Sequence, residues 1–172
     1  MARLDWKQGR FSETHEINEI ADALRGTQSA WGDQVEWYHF LRDASRMDDI
    51  YDEGAHVGRV YDGPTPIPVL HVAHTEGMSD DTPQGFYVND ALQITASYEQ
   101  LTRAGMTWLD RETPAYLKDR LVYDGRVFRV TAINIVGQVR QRDVIVGIEA
   151  TQCKPDELVG DYQFAQWAQM RW

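Results

Sequence analysis

His71 and His74 stand three residues apart, and Glu76 follows two residues later. On a helix this spacing would turn both imidazoles to one side, where they could hold zinc. On a strand it sends them to opposite faces. The entry through Pro64, Pro66 and Pro68 and the run Val69-Leu70-His71-Val72 predict a strand over 67–74, so no zinc site is expected. Asp48, Asp49, Asp52 and Glu53 crowd around Ile50-Tyr51. Four close carboxylates suit Ca²⁺ or Mg²⁺, but they lack EF-hand spacing and the acidic residue that closes such a loop. A solvated acidic loop is the expectation. Cys153 is the only cysteine, which leaves no disulfide framework and no thiolate zinc site. There is no G-x-S-x-G setting, phosphate-binding loop, H-E-x-x-H or dinucleotide fingerprint. No catalytic residue, cofactor or metal is expected, and the chain reads as a protein that is not an enzyme.

The 172 residues fit a single domain, 1–172, with a helical arm over 1–26, a core over 35–154 and a second arm over 155–172. The apolar fraction of 42% is enough for a core, while six Trp and eight Tyr hint at surfaces that meet other chains. The formal charge of −10, with no cluster of Lys and Arg, excludes a sequence-independent grip on nucleic acid. No apolar run is long enough to span a membrane and no signal segment opens the chain, so synthesis in a reducing cytoplasm is expected.

The fold is organised around residues 121–152. Asp124-Gly125 is a tight-turn pair. Two β-branched runs follow, 126–136 and 144–151, with a polar loop of more than two residues expected over 137–143. Simple alternation groups Val127, Arg129, Thr131, Ile133 and Ile135 on one face and Phe128, Val130, Ala132, Asn134 and Val136 on the other. Val127, Val130, Ile133, Ile145, Val146 and Ile148 are expected in the core. Arg129 then needs an edge position or a partner, and Gly147 suggests a bulge or bend. Upstream, Ser12 or Thr14 can cap a short helix with Ile17, Ile20, Ala21 and Leu24 on one stripe, ended by Gly26. Residues 35–43 and 85–98 read as strands, 54–68 as a turn-rich connector, 75–85 as a long acidic loop and 99–105 as a helical turn or loop. The tail carries Tyr162, Phe164, Trp167 and Trp172. The predicted class is mainly β: a small β-barrel core with a short N-terminal helix and an extended or helical C-terminal arm.

A family resemblance rests on several stretches taken together. They are the acidic run 48–54, Tyr61-Asp-Gly-Pro-Thr-Pro-Ile-Pro-Val-Leu-His-Val, Glu76-Gly77, Gly85-Phe-Tyr-Val, and Leu117-Lys-Asp-Arg-Leu-Val-Tyr-Asp-Gly-Arg-Val-Phe-Arg-Val-Thr. The last is Val144-Ile-Val-Gly-Ile-Glu-Ala-Thr-Gln-Cys-Lys-Pro-Asp-Glu-Leu. In this order they resemble the head-to-tail stopper, or head-closure, proteins of long-tailed bacteriophages, especially those infecting actinobacteria. The resemblance covers about residues 48–158. It implies a virion neck protein, assembled in the host cytoplasm, whose barrels form a ring, usually a hexamer. Such a ring lies below portal and adaptor rings and above the tail terminator. It closes the channel through which double-stranded DNA passes without sequence-specific binding, and it docks the tail. A barrel loop commonly projects as the gate. Here 75–85 is the candidate, with Glu76, Gly77, Ser79, Asp80, Asp81 and Gly85. Arg140 and Arg142 are candidates to face a neighbouring ring or DNA. Ile17, Ile20, Leu24, Tyr162, Phe164, Trp167 and Trp172 are candidates for contacts between subunits. Adaptor and tail-terminator rings stay open as alternatives, as does a small β-barrel module that binds a peptide or single-stranded nucleic acid.

Overall fold

A computed structural model describes residues 13–45, 59–82, 85–106, 114–139, 142–158 and 161–164, excepting the side chains of 13, 14, 78–82, 85–89, 114, 115, 155, 156 and 162. Helix α1 (Glu13–Trp31) leads into strands β1 (Asp33–Phe40), β2 (Tyr61–Val69), β3 (His71–Thr82) and β4 (Gly85–Ser97). Helix α2 (Tyr98–Arg103) and a 3-10 turn (Pro114–Lys118) precede β5 (Arg120–Tyr123), β6 (Arg126–Val139) and β7 (Arg142–Gln152). A short helix α3 (Pro155–Leu158) and a 3-10 turn (Tyr162–Phe164) follow.

The strands make one antiparallel sheet in the order β2-β1-β5-β6-β7-β4-β3. The mainly β expectation holds, but the barrel does not close. Among the described residues β2 and β3 remain the two edges. Leu70 alone separates them in the chain, so the sheet curls until its edges meet at that corner, where the Leu70 N–H donates to Thr95 O at 2.8 Å. Prolines explain why no ladder seals the seam. Pro66 and Pro68 lie opposite Glu36 and Gln34 of β1. Having no N–H, they occupy the positions where a strand residue turns its nitrogen outward, and the outer edge of β2 has no donor there. This placement also corrects the expected connector over 54–68: from Tyr61 onward it is an edge strand, the one setting in a sheet that tolerates such prolines.

The inner face of the curled sheet holds the main core, built on Val35, Ile67, Leu92, Ile94, Phe128 and Ile148. A second cluster lies on the outer face of β1, β5 and β6, where Tyr38, Phe40, Val122 and Val127 meet Leu158 and Phe164. The start of β6 is therefore buried on both sides, as its two apolar faces demand. Asp124 and Gly125 both have positive φ, 48° and 72°, the signature of the tight hairpin turn read from the sequence. Arg129, half exposed, lies 3.7 Å from Glu157.

Two departures follow from bulges. The β6–β7 register shifts between Val130 and Ala132, which carries Ile133 onto the Phe128 and Val130 face, where it packs half-buried against the core. Val127, Val130, Val146 and Ile148 are buried as expected, whereas Ile133 and Ile145 are only half-buried. Two of the shifts insert a residue in β6 and the third inserts Val144 in β7, so none lies at Gly147. A Cβ at Gly147 would come 2.7 Å from Val136 Cγ2, so this glycine makes room for a cross-strand side chain.

Helix α1 runs through Gly26 to Trp31, longer than expected. A mid-helix glycine costs only about 1 kcal/mol. A side chain of α2 holds the last turns: Gln100 Nε2 donates to Gln28 Oε1 at 3.2 Å. The helix ends where Gly32 presses on Gln28 O, a contact a Cβ would close to 2.5 Å.

Candidate functional site

β4 pairs with β7 only from Ala91↔Thr151 to Ser97↔Ile145. Beyond Ala91 it stays paired with β3, from Met78↔Asn89 to Thr82↔Gly85. A two-stranded ribbon thus leaves the body of the sheet, and it carries Ser79, Asp80, Asp81 and Gly85. The expected loop over 75–85 is corrected to the ends of two strands. Its Gly, Ser and Asp content looks turn-like, but five successive cross-strand pairs override that local preference.

The root of the ribbon is polar. Alternation along each strand gives the reason. Ala96, Ile94 and Leu92 point into the core from β4, and Asp90 continues the row. His74 lies opposite Leu92 on β3. Val130 and Phe128 point inward from β6, and Arg126 continues that row. The three side chains converge where the apolar core ends. Arg126 Nη1 donates to Asp90 Oδ2, and Arg126 Nη2 lies 3.4 Å from Glu76 Oε1. His74 Nε2 lies 3.3 Å from Asp90 Oδ2 and 3.4 Å from Arg126 Nη1, and its ring packs edge-on against Phe128 at 5.8 Å. The other Asp90 oxygen accepts the Gly77 N–H at 3.0 Å. That amide is freed by a register shift between Thr75 and Met78, where Gly77 takes a φ of 70°. Partial burial works against the Asp90 charge, yet the Gly77 amide, His74 and Arg126 together hold its carboxyl below the usual range.

One donor atom each from His74, Glu76 and Asp90 lies within 4.8 Å of the others, a spacing compatible with a metal ion. Arg126 already stands among them as the cation and contacts both carboxylates, so the arrangement is complete as an ion-pair network. His71 does not join: it is exposed on β3 opposite Thr95.

The β6–β7 hairpin leaves the opposite end of the sheet. Past Ser97↔Ile145 it has no β4 partner, and it stays paired to Val139↔Arg142. The expected loop over 137–143 shrinks to a two-residue connection that includes Arg140, outside the described residues. Arg142, Asp143 and Val144 line a groove of about 630 Å³ with Ile17 and Ala21 of α1 and Tyr98 of α2. The sequence separated Ile17 from Arg142, and the fold brings them together. Ile20 and Leu24 are half-buried on α1.

The tail expectation changes most. Phe164 is fully buried in its own chain, edge-on to Tyr38 at 4.9 Å and to Tyr61 at 5.1 Å. It is therefore a core residue and not a subunit contact. Gln163 anchors the same turn: its Oε1 accepts the Tyr61 N–H at 2.9 Å and its Nε2 donates to Tyr61 O at 2.7 Å. Tyr162 lies in that turn, while Trp167 and Trp172, like the acidic run at Asp48, fall outside the described residues.

A second buried aspartate escaped the sequence reading. Asp119 accepts Trp37 Nε1–H at 2.8 Å and the Phe40 N–H at 2.8 Å, and its Oδ2 lies 3.1 Å from His39 Nδ1. It sits where the β1–β2 register shifts between Trp37 and His39. Burial raises its carboxyl above the usual range even against those three contacts. Cys153 is buried as well, and burial pushes its thiol up to about 11, which makes it a packing residue and not a nucleophile.

No family model matches the chain, and no curated protein matches it in sequence. Among solved structures, a chain from "Virion of native gene transfer agent (GTA) particle" is similar at 13% identity with a TM-score of 0.42, covering 70% of this chain and 94% of that chain. A likeness at that level bears on neither family nor mechanism.

Proposed function

We propose that this chain is a structural protein of a phage neck, a head-to-tail stopper whose copies form a ring that closes the DNA channel and docks the tail. The sequence resemblance over about residues 48–158 supports this reading. The observation that carries it structurally is the β3–β4 ribbon, which extends beyond the sheet with Asp80 and Asp81 in its outer part. Repeated around a ring, those acidic residues would repel phosphate and let DNA move without adhesion. In this reading the subunits form a hexamer, with an adaptor or portal ring on one side and a tail terminator on the other. The protein acts without catalysis, metal or cofactor. The two hairpins leave opposite ends of the sheet, as suits a subunit addressed by one neighbour on each side.

The test is complementation of a phage in which this gene is disabled. A variant that keeps residues up to Gly77 and from Asp90 onward, joined by a tight turn, should assemble necks yet leave heads that lose DNA. Heads that retain DNA normally with this variant would remove the ribbon as the gate. Failure of the intact gene to restore closed heads would remove the neck reading itself.

A further inference from the structure

We propose that His74, Glu76, Asp90 and Arg126 form a releasable clasp that fixes the direction of the β3–β4 ribbon. The proposal concerns the chain itself and holds whether or not the ribbon gates a channel. Three walls of the curled sheet contribute: His74 and Glu76 come from β3, Asp90 from β4, and Arg126 from β6. Arg126 is the charged side chain that ties the ribbon root across the open end of the core to β6. Without its contacts, the root keeps the edge-on packing of His74 on Phe128 and the β4–β7 ladder, which begins only at Ala91.

The root is built to pivot. The register shift between Thr75 and Met78 interrupts the ladder, and Gly77 there adopts a φ that side chains rarely tolerate. Asp90 holds that irregular turn by the Gly77 amide and, by its other oxygen, receives Arg126. One carboxylate thus couples the pivot to the distant strand.

The clasp is open to competition, whereas the matching arrangement at Asp119 is not. The Glu76 side chain is 70% exposed and that of Arg126 is 28% exposed, so water and ions reach the pair. The Asp119 side chain is fully buried, and Trp37, His39 and Phe40, its three contacts, all belong to β1. Asp119 locks β1 to the residues entering β5 in a buried setting, while the Asp90 network joins three strands where water reaches and can let one of them go.

Hydrogen exchange on the full-length chain tests this. Arg126→Gln keeps a polar side chain, two atoms shorter, and removes the charge. Exchange at the backbone amides of 78–82 and 85–89 should rise about tenfold, with Leu92 and Ile94 unchanged. In the unmodified chain, raising salt from about 0.05 M to about 0.5 M should accelerate the same amides, and Arg126→Gln should not respond. Glu76→Gln, at an exposed position that does not threaten folding, should accelerate the ribbon by a smaller factor. Ribbon exchange unchanged in both variants would overturn the clasp. So would equal acceleration of the ribbon and of Leu92 and Ile94, which would make the network an ordinary part of global stability.

Discussion

Asp90 and Asp119 each satisfy an amide freed by a register shift, and each has a histidine beside it, but their charges fare differently. At Asp119 burial dominates and the carboxyl is raised. At Asp90 burial is outweighed by the Gly77 amide, His74 and Arg126, and the carboxyl is lowered. The consequences for stability have opposite signs. Below its ordinary value near 4, Asp90 is protonated more readily unfolded than folded, so its contribution is present above that value and lost as pH falls through the folded one. Asp119 takes up its proton more readily when folded, so its contribution is full in acid and lost as pH rises through its raised value. Melting temperature followed from about pH 7 to about pH 2.5 should show this in variants. Asp90→Asn should flatten the fall below about pH 4 and lower stability at neutral pH by about 1.5–3 kcal/mol. An acid limb identical to that of the unmodified chain would refute the assignment. Part of this was legible: alternation along 126–130 puts Arg126 in one row with Phe128 and Val130. Its meeting with Asp90 was not, because it depends on which strands become neighbours, and the shift at Gly77 leaves no mark in composition beyond the glycine itself.

At the scale of elements, the sequence revealed strand positions better than strand ends. The turn at Asp124-Gly125 was legible because two positive φ values have a compositional signature. The ribbon was misread as a loop because residues 75–85 have turn-like composition, while pairing is a property of two segments together. Ile133 was placed on the wrong face because one inserted residue inverts alternation downstream. The C-terminal turn shows the same limit: an aromatic segment announces that it packs, and only the fold shows on what. Phe164 fills the outer cluster, so Phe164→Ala should cost about 3–5 kcal/mol. Ending the chain after Leu158 should destabilise the isolated protein comparably. Urea denaturation checks both. A truncated chain with an unchanged midpoint would show that Phe164 and Gln163 add nothing to the fold.

For the whole molecule, the sheet order has a temporal consequence. The β1–β2 and β3–β4 hairpins are made first, yet neither joins the other through a strand ladder; they flank β5, β6 and β7, which come last. Ala91 must wait for Thr151, and Glu36 for Val122, before the body of the sheet exists. A growing chain thus holds two orphan hairpins with open edges until its final third emerges, an interval in which edge-to-edge sticking competes with completion. The late meander should be the nucleus, since its contacts are the most local and both hairpins need it as a template. Stopped-flow refolding would read this directly. Val130→Ala should mainly slow folding, and Val69→Ala should mainly speed unfolding. The reverse pattern would mean that the N-terminal hairpins condense first. Translation speed across 120–152 then becomes a determinant of yield, and slowing the ribosome before residue 120 should increase the insoluble fraction more than slowing it afterwards.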